Sequence, residues 1–291
     1  MMTAMKRSFV ALVLVFFAVV SGAAQQVGPR TGSLVIVGGA MQDPAIVKRF
    51  IELAGGPEAP IVIIPTAGEA DAYDQYWSGV NQFRENGARN LTVMHTRDPK
   101  VADTDAFVKP LMTARGVFFG GGRQWRIADA YLNTRTQREV QGVLDRGGVV
   151  GGTSAGATIL GSFLVRGDTK GNETMIGDHT VGFAFLKNSA IDQHLLRRNR
   201  QFDLIDVIAK HPNLLGIGID ENTAIVVEDD RFDVIGRGYV AIYDAKHVTR
   251  PPSKFYFLAP GDRFDLVKRE ASRRSEQFRP LENVGSRPPG C

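Results

Sequence analysis

Cysteine is almost missing from this chain: of 291 residues, only Cys291 carries a thiol. A lone thiol closes no internal disulfide and builds no thiolate metal cage, so packing must hold the fold. Charge of one sign is scarce as well. The 35 Lys and Arg exceed the 31 Asp and Glu by a formal +4, half of which comes from Lys6 and Arg7. So small an excess gives no support to nucleic-acid binding. Long hydrophobic runs are also lacking, since the longest, Phe9 to Val20, falls short of the ~20 residues a membrane-spanning helix needs.

Nucleotide-binding signatures are absent. After the first apolar strand the chain reads Gly38-Gly39-Ala40-Met41-Gln42, without the G-x-G-x-x-G spacing that seats a pyrophosphate on a helix. No phosphate-loop lysine follows a glycine-rich turn either. The sequence calls for no cofactor and no metal.

Three segments follow from composition. Residues 1–24 join Lys6-Arg7 to the apolar run and then to Ser21-Gly22-Ala23-Ala24, the three parts of a secretory signal. The expectation is a secreted or periplasmic protein with no stable membrane insertion after signal cleavage. Residues 32–260 have the length and the apolar content for one substantial core. Residues 261–291, with Lys268-Arg269, Arg273-Arg274, Arg279 and Arg287 among prolines and glycines, read as a solvated Arg/Pro-rich tail.

Within the central segment, apolar runs of strand length alternate with helical patterns: 33–37, 61–65, 91–96, 116–119 and 149–152. Such alternation predicts an α/β fold, a mainly parallel sheet with helices on both faces. Asp43-Pro44 and Gly55-Gly56 bound one helix; 71–86 is expected to form the next. Beyond residue 154 the grammar changes. Short strands over 215–219, 224–228, 231–235, 239–243 and 254–258 are separated by Asp229-Asp230 and Gly236-Arg237-Gly238, which predicts a C-terminal antiparallel extension on the sheet's edge.

The most informative stretch is Gly151-Gly152-Thr153-Ser154-Ala155-Gly156-Ala157, entered from Val149-Val150. A serine between small residues at a strand-to-helix corner is held clear of the backbone on a strained turn that tolerates little bulk. Ser154 is therefore the candidate nucleophile. A helix over 155–160 would direct its positive end at the serine and offer the Ala155 amide to a developing oxyanion. In Gly120-Gly121-Gly122, the glycines let backbone amides approach the same charge. The pair Gly38-Gly39 is read as a tight strand-to-helix turn.

A serine hydroxyl needs a base, and histidine suits neutral pH. Of the five histidines, His95 fits structural packing, His179 a loop, His211 a helix end and His247 a polar connection. His194 differs: it ends the polar cluster Asp192-Gln193-His194 and is followed by Arg197-Arg198-Asn199-Arg200, the convergent polar company of a site. The supporting acid is expected in Asp220-Glu221-Asn222, between two apolar strands. The residues alone leave Asp220 and Glu221 as competitors, each also suited to capping a turn.

At these motifs the chain resembles the cyanophycinase and dipeptidase E group of serine peptidases. The resemblance rests on Phe118-Phe119-Gly120-Gly121-Gly122 with Gln124, on the Ser154 motif, on Asp192-Gln193-His194 and on Ile219-Asp220-Glu221-Asn222-Thr223-Ala224. It implies a fold related to class I glutamine amidotransferases and a triad of Ser154, His194 and Glu221. It also implies that Gln124, Asp192, Gln193, Arg198 and Arg200 line the substrate pocket. The implied substrate is cyanophycin, a polyaspartate bearing arginine on its side chains, released as β-Asp-Arg dipeptides. Two departures bear on that substrate. The group usually carries an acid where Arg123 stands and an arginine where Asp203 stands, and both charges are reversed here.

The expected partner is thus an aspartyl- or arginyl-rich peptide substrate, and the assembly state is left open, a homodimer included. Rival readings are an exopeptidase acting on other aspartyl or isoaspartyl peptides, a non-catalytic binder of acidic peptides, and an esterase with His247 as base.

Overall fold

The computed structural model describes residues 26–246 and 254–274. The expected signal, His247 and the part of the expected tail beyond residue 274 lie outside the described residues. The strands are β1 (Ser33–Val37), β2 (Ile61–Ile64), β3 (Leu91–Val93), β4 (Gly116–Phe119), β5 (Val149–Thr153), β6 (Gly161–Gly167), β7 (His179–Val181) and β8 (Leu186–Gln193). They continue with β9 (Leu215–Ile219), β10 (Thr223–Glu228), β11 (Arg231–Gly236), β12 (Val240–Tyr243), β13 (Tyr256–Leu258), β14 (Arg263–Asp265) and β15 (Glu270–Ser272). The helices are α1 (Pro44–Ala54), α2 (Asn81–Glu85), α3 (Pro99–Ala102), α4 (Asp105–Thr113), α5 (Gln124–Tyr131), α6 (Arg135–Asp145), α7 (Ala155–Thr158) and α8 (Asp203–Lys210).

Two mixed sheets form rather than one mainly parallel sheet with an edge extension. The larger has the order β15-β14-β11-β10-β1-β5-β4-β2-β3. Its strands β1, β5, β4, β2 and β3 are mutually parallel, and β10, β11, β14 and β15 add antiparallel pairings beside β1. The smaller has the order β13-β12-β9-β8-β6-β7. In it β6, β8 and β9 run parallel, which corrects the expectation that everything after residue 215 is an antiparallel extension.

Burial on both faces explains the continuous apolar strands. One face of the larger sheet, through Val35, Val37, Ile61, Ile63 and Phe118, packs on Ile46, Val47 and Phe50 of α1 and Phe83 of α2. The opposite face, through Leu34, Ile36, Val117 and Val150, shares a core with α4, α6 and the inner face of the smaller sheet. The outer face of the smaller sheet is covered by Leu204, Val207 and Ile208 of α8. A strand buried on both sides needs no polar alternation. At the start of α1, Asp43 accepts the Ala45 amide and Pro44 takes the first position; Gly55, at φ 108°, ends the helix, as the sequence grammar requires.

Other differences have local causes. The helix expected over 71–86 is confined to α2 and a preceding 3₁₀ turn at Ser78–Val80. Gln75 is instead spent on β3: its amide donates to the Val93 carbonyl at 2.9 Å and accepts from the Val93 N–H at 2.8 Å, satisfying a strand edge that has no further neighbour. The helix after Ser154 is only Ala155–Thr158. Residues 263–265 and 270–272, expected within a solvated tail, pair as β14 and β15 of the larger sheet.

Candidate active site

The C-terminal ends of β1, β4, β5, β8 and β9 meet around Ser154 and His194. Ser154 follows β5 with φ 54° and ψ −115°, the strained corner that the small neighbours permit. Its N–H donates to the Val37 carbonyl at 3.1 Å, tying the corner to the end of β1. One residue on, the Gly38 carbonyl accepts the His194 N–H at 2.8 Å, and the Gly39 carbonyl accepts the Asn222 N–H at 2.9 Å. The turn after β1 thus fastens the three segments that carry Ser154, His194 and Glu221.

His194 and Glu221 are neighbours because β8 and β9 are parallel partners, with Gln193 opposite Ile219. His194 Nε2 lies 2.9 Å from Ser154 Oγ, and His194 Nδ1 lies 2.7 Å from Glu221 Oε1. Asp220 points elsewhere: its Oδ1 accepts the Leu196 and Arg197 N–H groups, each at 3.0 Å. Of the two adjacent acids, Glu221 lies at the ring and Asp220 caps the turn. Burial pushes the His194 imidazole below its ordinary pKa of 6.5; the Glu221 hydrogen bond opposes this, and the positive charges of Arg198 and Arg200 reinforce it.

A β-carbon placed on Gly121 would lie 3.3 Å from Ser154 Cβ and 3.8 Å from Oγ. The Gly121 backbone therefore runs close beside the serine side chain. Gly122, at φ 141°, abuts the Ala67 carbonyl, which a β-carbon would meet at 2.0 Å. Ala155 is fully buried at the first turn of α7.

The other expected pocket residues are mostly engaged from within. Gln124 is buried, its amide donating to the Val165 carbonyl at 2.9 Å. Asp192 has no exposure and pairs with Arg166. Gln193 accepts from Arg200 Nη1 at 3.0 Å, and Arg200 also faces Glu173 at 3.5 Å. Arg198 is exposed beside the imidazole. Arg123 donates to the Asp168 carbonyl at 2.8 Å, and Asp203 pairs with Arg166.

Arg166 itself was not among the candidates, because a charged residue inside an apolar strand signals nothing until its partners are known. Of the remaining histidines, His95 bonds Thr66 Oγ1 at 2.9 Å, consistent with packing. His179 is not an idle loop residue but bridges Asp129 and Asp178, at 2.8 and 2.9 Å. Among the described residues no group of three or more His, Cys, Asp and Glu side chains could hold a metal ion, and no helix is long and apolar enough to cross a membrane.

This geometry coincides with a sequence match: residues 34–235 fit the model of peptidase family S51. The chain belongs to peptidase family S51. It is a serine-type peptidase, a hydrolase acting on peptide substrates, and of the cyanophycinase type. The cyanophycinase of Geminocystis herdmanii is 33% identical over 224 residues, covering 74% of this chain and 81% of the relative. That of a Nostoc species is 30% identical over 262 residues, covering 81% and 86%. Among solved structures, a peptidase from an acI-B1 Actinobacterium superposes with a TM-score of 0.62 at 27% identity, covering 82% of this chain and 98% of its own.

Proposed function

We propose that the chain is a secreted serine peptidase that hydrolyses aspartyl peptide bonds, cyanophycin among its substrates, through Ser154, His194 and Glu221. The observation that carries this reading is the unbroken relay of 2.9 and 2.7 Å from hydroxyl to imidazole to carboxylate. The fold would then be related to class I glutamine amidotransferases, and residues 1–24 would direct export.

The reaction follows from the arrangement. The Glu221 carboxylate accepts a hydrogen bond from Nδ1–H, which keeps the ring's proton on Nδ1 and leaves Nε2 unprotonated and aimed at the serine. As Oγ attacks the scissile carbonyl carbon, its proton passes to Nε2, and the carbonyl oxygen becomes an anion facing the Gly121, Gly122 and Ala155 amides. His194 then returns that proton to the leaving nitrogen, the C–N bond breaks, and an acyl ester remains on Ser154. Water attacks the ester with His194 again taking a proton, releasing the acid and restoring the hydroxyl. Positioned proton transfer contributes about 10²–10⁴-fold, and each oxyanion donor about 10²–10³-fold.

A second reading, an exopeptidase for other aspartyl or isoaspartyl peptides, is favoured by one observation. Asp192 is fully buried and already matched by Arg166, so it has no free edge for a substrate guanidinium. Hydrolysis of cyanophycin beside α-Asp-Arg, β-Asp-Arg and β-Asp-Leu peptides, by wild type and Ser154→Ala, tests both. Turnover that survives the alanine change overturns the mechanism, whereas cleavage of the β-Asp-Arg or β-Asp-Leu dipeptide with cyanophycin left intact favours the second substrate class.

A further inference from the structure

Arg166, next to last in β6, has no solvent exposure and a left-handed backbone, φ 56°. Its guanidinium is occupied on every side. Nε donates to Asp192 Oδ1 at 2.7 Å and Nη2 to Asp192 Oδ2 at 3.0 Å. Nη2 also donates to the Asp203 carboxylate, and Nη1 donates to the Asn172 carbonyl at 2.9 Å. This fork-on-carboxylate pairing is available to a guanidinium and not to an ammonium. Asp192 Oδ1 additionally accepts the Gln193 N–H at 2.9 Å, so the carboxylate is fixed from two directions.

Two residues after Asp192 comes His194, itself at φ 53°. A residue in that conformation persists only where its surroundings over-determine it. Its backbone is held by the Gly38 carbonyl, which accepts the His194 N–H, by the Arg198 N–H on its own carbonyl, and, upstream, by the Asp192 clamp. We propose that Arg166 is a positioning residue for the base: by gripping Asp192 it fixes the backbone that presents the His194 imidazole to Ser154. The inference rests on the reading of Ser154 as nucleophile and His194 as its base. It adds a residue that touches neither substrate nor the reacting atoms.

The test compares wild type with Arg166→Met, Arg166→Lys and Asp203→Asn. Each is assayed at a temperature where circular dichroism shows it folded, for the saturating rate of fluorophosphonate labelling at Ser154 and for kcat and KM on cyanophycin. A base displaced by an ångström costs about 10²-fold, so Arg166→Met is expected to slow labelling and kcat by about 10–10²-fold with KM nearly unchanged. Arg166→Lys keeps the charge without the fork and recovers part of the rate. Asp203→Asn, touching one outer nitrogen, loses least.

Equal labelling of wild type and Arg166→Met overturns the proposal, and so does a rise in KM at constant kcat, which marks a binding role. A lowered melting temperature with unchanged labelling overturns it too, marking a structural role. Should Arg166→Met fail to fold, wild-type labelling rates in both other variants overturn it. A wild-type enzyme that does not label removes the nucleophile reading and this inference together; a labelled wild type with equally fast variants removes the inference alone.

Discussion

Gly39 stands directly against the ring of His194: a β-carbon on Gly39 would lie 2.3 Å from the ring's Cε1 and 2.6 Å from Nδ1. Gly39 also has φ 132°, a conformation that side chains disfavour. The sequence permitted a simple tight turn here, yet the structure makes the glycine a wall of the imidazole's slot. Gly39→Ala is expected to push the ring off Ser154 and lower kcat by about 10²-fold. Steady-state kinetics on cyanophycin checks it, and an unimpaired alanine variant would show that the slot has slack.

The acid limb of the pH profile follows from the burial of His194. The base acts in its neutral form, and a lowered pKa keeps that form populated further into acid. As pH falls, kcat/KM should hold through 6.5 and drop only below it. Arg198→Ala removes a nearby positive charge that favours the neutral ring, so its limb should move up toward 6.5. Initial rates from pH 4 to 8 decide the matter, and an unmoved limb in Arg198→Ala would exclude that charge as a contributor.

Two adjacent acids should behave differently. Glu221→Gln keeps the shape but donates to Nδ1, favouring the wrong tautomer, and a loss of about 10⁴-fold in kcat is expected by analogy with such replacements. Asp220→Asn keeps an acceptor for the Leu196 and Arg197 amides and should cost less than about tenfold in kcat, with a stability loss of about 1 kcal/mol. Parallel kinetics and urea melts of the two variants separate the roles.

Away from Ser154 and His194, the Tyr131 hydroxyl is buried and its pKa pushed up to about 12 by desolvation. It shares a 2.6 Å hydrogen bond with Thr66 Oγ1 and accepts the Thr96 N–H at 3.3 Å. Tyr131→Phe leaves both without this partner and should cost about 1–3 kcal/mol. Urea denaturation measures that loss, and kcat should stay at the wild-type value.

How much of this was legible in the sequence depends on how local each cause is. Ser154 is legible because its strained corner demands small residues on both sides, a demand written into seven consecutive positions. The five parallel strands are legible because burial on two faces leaves runs such as Leu34-Val35-Ile36-Val37. His194 was found through its polar neighbours. Glu221 and Asp220 could not be separated, since only the register of β8 against β9 decides which acid meets the ring. β6 and β8 escaped because Arg166, Asp192 and Gln193 break the apolar pattern, and their partners lie far along the chain. The helix expected over 71–86 failed because the Gln75 amide satisfies β3 rather than a helical turn.

The hydroxyl and the imidazole are anchored in different layers, Ser154 at the end of β5 in the larger sheet and His194 at the end of β8 in the smaller. Glu221 sits where the chain steps from one layer to the other between β9 and β10. A slip of the layers would uncouple the proton relay while every strand kept its ladder. Gentle warming should therefore silence turnover before the far-ultraviolet spectrum records any melting.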